Sequence, residues 1–227
     1  MKEMHRMTNN SSENKPFRTE LVFLLDRSGS MAGLEADTIG GYNNLIAKQQ
    51  KEEGECRLTT VLFDNRCELL HDRVNLRDVS PITEREYWVR GSTALLDAIG
   101  MTISRISADQ RLAVPSQRAD KVLFVITTDG MENASREYRA AHVRRMIEDA
   151  KKQHDWEFLF LGANIDAIET ASAFGIDATR AVNYHADSRG TTLNYEVLSR
   201  AVSSVRASGA LADDWCEPIE ADYKSRG

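Results

Sequence analysis

The chain has 227 residues, a formal net charge of −6 and 41% hydrophobic residues, which suits one large α/β domain with a substantial core. The acidic balance argues against a general nucleic-acid binder, although a local basic patch stays compatible with it. No run approaches the roughly 20 apolar residues of a membrane span. Residues 1–16 lack the apolar centre of a secretion signal, and the three cysteines form no CxxC pair. We therefore expect a cytoplasmic protein with reduced thiols and no membrane or nucleic-acid partner.

The first half of the chain predicts alternating strands and helices. Residues 21–25 are all apolar and are followed by Asp26, as expected of a central parallel strand that is covered on both faces. Apolar residues at helical spacing predict a helix over 35–53. The strands predicted at 57–63 and 67–71 are separated by a short turn, so we expect them to be antiparallel neighbours.

The second half continues the alternation. Residues 93 onward predict a helix, and a loop or frayed helix end is expected over 107–119. Residues 121–128 form a second fully apolar strand, which ends at Asp129. Ser135 is a suitable N-cap for the next helix. The remaining predicted elements are a helix over 135–153, a strand over 156–161, a helix over 166–174, an edge strand over 181–184 and a last helix over 192–208.

This order of elements predicts the fold class. Strands that alternate with helices indicate a doubly wound, mostly parallel sheet of about six strands, with one antiparallel edge strand and helices on both faces. Residues 1–17 are polar and aperiodic, which predicts a flexible tail. One domain is expected over 18–210, followed by a loose, acidic tail over 211–227.

Two of the predicted buried strands are followed directly by aspartates, Asp26 and Asp129. In doubly wound sheets, ligands bind beyond the carboxyl ends of the strands, where the strand order reverses. If the first and fourth strands flank that reversal, the two carboxylates meet there.

The loop after the first strand adds further oxygen atoms. Asp26, Ser28 and Ser30 alternate with other residues, and Gly29 lets the chain turn tightly between them. One carboxylate and two hydroxyls suit a small cation that prefers oxygen ligands, such as Mg²⁺. A helix N-terminus close to Ser30 would repel a cation, so carboxylates must supply the compensating charge.

Three segments together carry a family resemblance: DRSGSM at 26–31, GSTALLDAI at 91–99 and TTDG at 127–130. In order and spacing they resemble the metal-ion-dependent adhesion site (MIDAS) of von Willebrand factor A (VWA) domains. The resemblance covers about residues 19 to 205, and the first two segments are its most specific parts.

The resemblance implies a set of metal ligands. In the family, the positions of Asp26, Ser28 and Ser30 hold the ion directly or through water. The position of Thr93 contributes from a second loop, and that of Asp129 acts through water. The sixth coordination place is open to a carboxylate of a partner.

The resemblance also implies a function: a divalent-cation-dependent protein–protein interaction module or adaptor, which binds Mg²⁺ (or Mn²⁺ or Ca²⁺) and a partner that presents Asp or Glu. The chain looks like a stand-alone intracellular bacterial member with an intact site and no catalytic residues. Such members serve as adaptors for chaperone-like ATPases or stress-response systems.

Two other functions stay open. A Mg²⁺-dependent phosphoryl-transfer hydrolase would use Asp26 and needs a second Asp two residues later, where this chain has Ser28. A metal-free scaffold with a vestigial site would leave the serines as turn residues, Thr93 as a helix N-cap and Asp129 as part of a turn with Gly130.

Several residues near these segments have two readings. Arg27 either influences the choice of partner or faces solvent. Asp97 either orients its loop or has a solvated or helix-capping role. Glu132 and Asn133 are either part of the binding rim or plain surface loop. Asp166 is expected to cap a helix. The large aromatic residues Trp88 and Trp156 are expected to be core or packing residues and not a stacking platform.

Overall fold

One six-stranded sheet organises the protein in the computed structural model, which describes residues 17–226. In chain order the strands are β1 (Arg18–Asp26), β2 (Glu55–Phe63), β3 (Cys67–Asn75), β4 (Lys121–Thr128), β5 (Glu157–Gly162) and β6 (Ala181–Asn183). Their order across the sheet is β3-β2-β1-β4-β5-β6, and every pair is parallel except the antiparallel pair of β2 and β3. The predicted fold class and the antiparallel edge are therefore confirmed.

Helices cover both faces of the sheet. They are α1 (Glu35–Gln49), α2 (Leu95–Leu112), α3 (Ala140–His154), α4 (Ala167–Ala173), α5 (Ser188–Ser208) and α6 (Glu217–Arg226). Residues of α1, α5 and α6 pack in one hydrophobic core, and residues of α2, α3 and α4 pack in the other. No helix among residues 17–226 is long and apolar enough to span a membrane.

Strand β1 divides its side chains between the two cores. Leu21 and Phe23 belong to the core beneath α1 and α5, whereas Val22 and Leu24 belong to the core beneath α2 and α3. Side chains of a strand point alternately to opposite faces, and full burial of one such side chain contributes roughly 1.5–3 kcal/mol to folding. This two-sided burial is why the strand is apolar at every position from Leu21 to Leu25. It also fits the place of β1 in the middle of the sheet.

The strand order reverses between β1 and β4. From β1 the chain moves outward to β2, and from β4 it moves outward to β5 on the other side. Leu25 pairs with Thr127 in the register between them, so Asp26 lies level with Thr128 and close to Asp129. The topology on which the predicted site depended is confirmed.

The helix predicted to begin at Ser135 begins instead at Ala140. The Ser135 hydroxyl donates to Glu132 Oε2 at 2.7 Å and accepts from the backbone N–H of Asp97 at 3.0 Å. Ser135 therefore caps the start of another helix, α2, and is not the N-cap of α3. Helix α2 also extends to Leu112, beyond the loop expected from 107.

The chain after Ala212, predicted to be loose, contains helix α6 and packs against α5 and β6. Trp215, Cys216 and Ile219 are buried in the core, and the Trp215 indole N–H donates to the carbonyl of Thr179 at 2.9 Å. Three buried side chains in a charged segment give too weak a periodicity to predict this helix. At the other end, residues 1–16 of the predicted flexible tail lie outside the described residues.

Trp215→Ala is expected to lower the free energy of unfolding by about 3 kcal/mol, because it removes a large buried side chain that holds α6. Urea unfolding followed by circular dichroism measures the change, and limited proteolysis should cleave near α6. Lys224→Ala, on the exposed side of the same helix, is the control and should stay close to wild type. Equal stability of the two variants would show that α6 does not contribute to the folded state.

Candidate metal centre

Asp26 ends β1 and is only 1% exposed. Its Oδ1 accepts from the backbone N–H of Ser28 at 2.7 Å, and its Oδ2 accepts from the Thr128 hydroxyl at 2.5 Å. Burial raises the pKa of Asp26 to about 6, although these hydrogen bonds favour the charged form. The Tyr87 hydroxyl donates to the Asp26 carbonyl at 2.6 Å, which secures the backbone at the same point.

Three hydroxyls surround one point beside Gly130. A Cβ atom added to Gly130 would lie 2.9 Å from Ser30 Oγ, 2.9 Å from Thr93 Oγ1 and 3.7 Å from Ser28 Oγ. The two serine hydroxyls are 2.9 Å apart. The structure therefore brings together the three hydroxyl residues predicted from the sequence, around a space that any side chain at position 130 would fill.

Asp129 lies in the same region and is 2% exposed. Neither of its carboxylate oxygens has a hydrogen-bond partner among residues 17–226. Burial raises the pKa of Asp129, and the nearby Ser30 hydroxyl opposes that shift without forming a hydrogen bond of normal geometry. A buried carboxylate without a partner is costly, and a cation bound beside it would remove that cost.

Thr93 is held by the loop that follows Asp129. Its backbone N–H donates to Asn133 Oδ1 at 2.9 Å, and its carbonyl accepts from the backbone N–H of Asn133 at 3.0 Å. Glu132 accepts from the backbone N–H of Leu96 at 2.8 Å, in the first turn of α2. Thr93 lies before that turn and is not its N-cap, so its hydroxyl remains available to the site.

Asp97 orients the same loop from the other side. Its carboxylate accepts from the backbone N–H groups of Arg136, Glu137 and Tyr138 at 2.8–3.0 Å. Of the two readings of Asp97, the structure supports the loop-orienting one. Farther along the sheet edge, Asp166 caps α4 by accepting from the backbone N–H of Glu169, as predicted.

Asp64 lies in the short turn predicted between the strands at 57–63 and 67–71. It connects the loop that contains Arg27 to the loop that contains Arg90. This fully buried carboxylate accepts from Arg27 Nε at 3.0 Å, Arg90 Nε at 2.7 Å and the backbone N–H of Arg66 at 2.8 Å. Its carbonyl accepts from the backbone N–H of Ala94 at 2.8 Å. One feature of the sequence could have indicated this role: Asp64, like Asp26 and Asp129, directly follows an apolar strand.

Arg27 lies beneath the loops. It is 1% exposed and also donates to Glu68 at 2.7 Å, so the predicted solvent exposure is wrong, whereas its influence on the choice of partner stays a prediction. Trp88 is 44% exposed, so it is not a core residue, and it packs against the guanidinium of Arg90, which lies 4.3 Å from its ring. Trp156 is buried and stacks on Phe124, as predicted.

The arrangement supplies two carboxylates and three hydroxyls from three loops. No group of three or more His, Cys, Asp or Glu side chains is placed to hold a metal within the part of the chain that the structure describes. The candidate centre differs from such a group because three of its five side chains are hydroxyl residues. Its donor set is all oxygen, which fits a cation such as Mg²⁺ or Mn²⁺.

No protein-family model matches the sequence, and no curated protein does. Solved structures match in fold. The von Willebrand factor domain of the type V pilus tip protein Mfa5 from Porphyromonas gingivalis matches with a TM-score of 0.63 and 11% identity, over 87% of this chain and 99% of that chain.

Two further matches were solved with a metal. Proximal thread matrix protein 1 from the mussel byssus, with a zinc-occupied MIDAS motif, has a TM-score of 0.52 and 14% identity, over 82% of this chain and 46% of that chain. Manganese-loaded TRAP protein from Plasmodium vivax has a TM-score of 0.55 and 18% identity, over 78% and 71%. This chain thus spans about half the length of the mussel protein. At these identities the likeness shows the fold alone, which is that of VWA domains.

Gly130→Ala is expected to weaken divalent-cation binding by at least about 10-fold, because the added methyl group enters the space between the Ser30 and Thr93 hydroxyls. Isothermal titration of Mn²⁺ measures the affinity. Gly40→Ala is the matched control, since a Cβ at that position of α1 meets nothing within 4 Å. Wild-type affinity in Gly130→Ala would place the cation elsewhere.

Cation binding is expected to weaken as the pH falls below about 6, where protons compete for Asp26. In the metal-free protein, the same raised pKa makes the folded state more stable at low pH than at high pH. Because the folded pKa lies above the ordinary 3.8, Asp26 stabilises the fold at low pH, and this contribution is lost as the pH rises from 3.8 through about 6. By linkage the loss is roughly 2–3 kcal/mol.

Unfolding of wild type and Asp26→Asn, measured in EDTA from pH 4 to pH 8, tests this second effect. The difference in stability between the two proteins should change with pH in the stated direction. Parallel curves would show that Asp26 does not titrate in this range.

Proposed function

We propose that the protein is a divalent-cation-dependent protein interaction module with a MIDAS. The observation that carries the proposal is the pair of buried, unpartnered carboxylate oxygens of Asp129 beside a cluster of three hydroxyls. The proposed metal ligands, some of which would act through water, are Asp26, Ser28, Ser30, Thr93 and Asp129.

The charges of this set suit recruitment of a carboxylate. Asp26 and Asp129 roughly neutralise a divalent ion, and the hydroxyls add no formal charge. A cation held there would supply a Lewis-acidic point that accepts an oxygen from an incoming Asp or Glu. We propose Mg²⁺ as the resident ion, with Mn²⁺ or Ca²⁺ as alternatives, and a protein partner that presents an acidic side chain.

Membership of the VWA family is part of the same proposal. The shared fold and the order of the three motifs along the chain support it. We further propose an adaptor role in a chaperone-like ATPase or stress-response system, as the resemblance implies for stand-alone members. The cytoplasmic location expected from the sequence stays a prediction.

We do not propose a catalytic role. A phosphoryl-transfer enzyme that used Asp26 as its nucleophile would need a second carboxylate two residues later as acid and base. Ser28 stands at that position in this chain. The hydrogen bonds from the Ser28 backbone and the Thr128 hydroxyl fix the Asp26 carboxylate, and each oxygen keeps a lone pair for a metal ion. These features favour a metal-holding role for Asp26.

Asp26→Ala is expected to reduce Mg²⁺ and Mn²⁺ affinity by more than about 100-fold. Mutation of residues that only contact a metal ligand typically lowers metal affinity by about 10–100-fold, and removal of a direct ligand should lower it further. Isothermal titration into metal-stripped protein measures the change. Asp78→Ala removes an exposed carboxylate at the other end of the sheet and is the matched control. Unchanged affinity in Asp26→Ala would refute the proposed site.

Binding of an acidic peptide, with and without EDTA, then tests the interaction function. Capture that requires the cation and is lost in Asp26→Ala supports the module. Turnover of phosphate esters by the wild-type protein that stops in Asp26→Asn would instead establish the enzyme.

A further inference from the structure

A cavity of about 550 Å³ lies at the end of the sheet opposite to the candidate metal centre. Strand β2 begins beside it at Glu55, and the antiparallel strand β3 ends beside it at Asn75. Its volume falls in the range of small-molecule sites. Three arginines line it, Arg57, Arg73 and Arg77, in a chain whose net charge is −6.

A β-bulge orients Arg73. The register between β2 and β3 shifts between Leu58 and Thr60, and Arg73 has a φ of 49°. This left-handed conformation is unfavourable for a residue with a Cβ atom, and bulges redirect side chains away from the regular alternation of a strand. The Thr59 hydroxyl accepts from the Arg73 backbone N–H at 3.3 Å and holds the bulge in place.

The buried carboxylate of Glu20 anchors Arg73 by one nitrogen. Glu20 Oε2 accepts from Arg73 Nε at 2.9 Å and from Gln110 Nε2 at 3.3 Å. Burial raises the pKa of Glu20, and the Arg73 guanidinium opposes that shift. Neither terminal nitrogen of Arg73 forms a hydrogen bond within residues 17–226, so these donors remain available.

The other donors around the cavity are also available. Arg57 forms no ion pair or side-chain hydrogen bond with the residues that the structure describes, and it attracts Glu20 only over a longer distance. Among the described residues, the Arg77 side chain reaches a single acceptor, the backbone carbonyl of Glu52, at 3.5 Å. The Asn75 side-chain Oδ1 accepts from the Arg77 backbone N–H at 3.1 Å, and the Asn75 side-chain N–H groups have no partner within residues 17–226.

Acceptors in the cavity are scarce by comparison. Among the described residues that line the cavity, Glu55 is the one with a carboxylate, and it already accepts from Arg18 Nε at 2.6 Å. A cavity with many unpaired guanidinium donors and few acceptors matches a ligand that carries several negative acceptor oxygens. Guanidinium groups bind phosphate through paired, charge-assisted hydrogen bonds.

We propose that this cavity binds the phosphate group of a small phosphorylated molecule through Arg57, Arg73 and Arg77. This site is separate from the candidate metal centre and does not depend on the function proposed for it.

Isothermal titration of pyrophosphate and of inorganic phosphate into the full chain, in EDTA at constant ionic strength, tests the proposal. We expect one site, with pyrophosphate bound more tightly. The double variant Arg57→Ala/Arg77→Ala should bind at least about 10-fold more weakly, since each charge-assisted hydrogen bond contributes strongly. Both arginines lack carboxylate partners among the described residues, so the variant is expected to fold.

The control variant Arg145→Ala/Arg200→Ala removes two exposed arginines, from α3 and α5, and should bind as wild type. No binding by the wild type up to about 10 mM ligand, or equal weakening in both double variants, would overturn the proposal. Arg73→Lys keeps the charge but loses the fork of donors, and it should weaken binding too.

A phosphoserine peptide serves as the comparison ligand. Weaker binding of the peptide than of pyrophosphate supports a small molecule, whereas tighter binding would overturn that assignment in favour of a phosphorylated protein.

Discussion

Two carboxylates at the carboxyl ends of adjacent central strands place the strongest physical demand on this structure. Buried charges are unfavourable unless they are paired or hydrogen-bonded. For Asp26 the chain meets that demand with the Ser28 backbone and the Thr128 hydroxyl. For Asp129 it supplies no partner among the described residues. A cation bound beside Asp129 would supply the missing partner of this second carboxylate. The loops around the two aspartates place the Ser28, Ser30 and Thr93 hydroxyls close to the same position.

Three loops from distant parts of the sequence must keep their relative positions for such a site to exist. The connection between the first two loops is the buried ion-pair cluster centred on Asp64, which holds Arg27 from one and Arg90 from the other. The connection to the third is the reciprocal pair of hydrogen bonds between Thr93 and Asn133. Groups held in this way need little reorganisation on binding, which favours affinity and selectivity.

The two ends of the sheet carry opposite chemistry. The carboxyl end of β1 and β4 offers carboxylate and hydroxyl oxygens, whereas the cavity at the other end offers guanidinium nitrogens. Parallel strands make this separation possible, because all their carboxyl ends lie at one edge. The overall charge of −6 conceals the local concentration of arginine. The proposed cation and phosphate sites are therefore far apart and open to separate tests.

The sequence by itself determined the central strands and the fold class, because apolar runs are local signals. The five proposed metal ligands came from the resemblance of three short motifs to a known family, of which the spacing of Asp26, Ser28 and Ser30 is one part. The sequence did not determine the roles of Asp64 and Asn133, whose partners lie about 25 to 40 residues away along the chain. Nor did it indicate the bulge at Arg73, which depends on pairing between β2 and β3. Only the tertiary structure decided these features, because each is a contact between residues whose proximity arises when the sheet and its loops assemble.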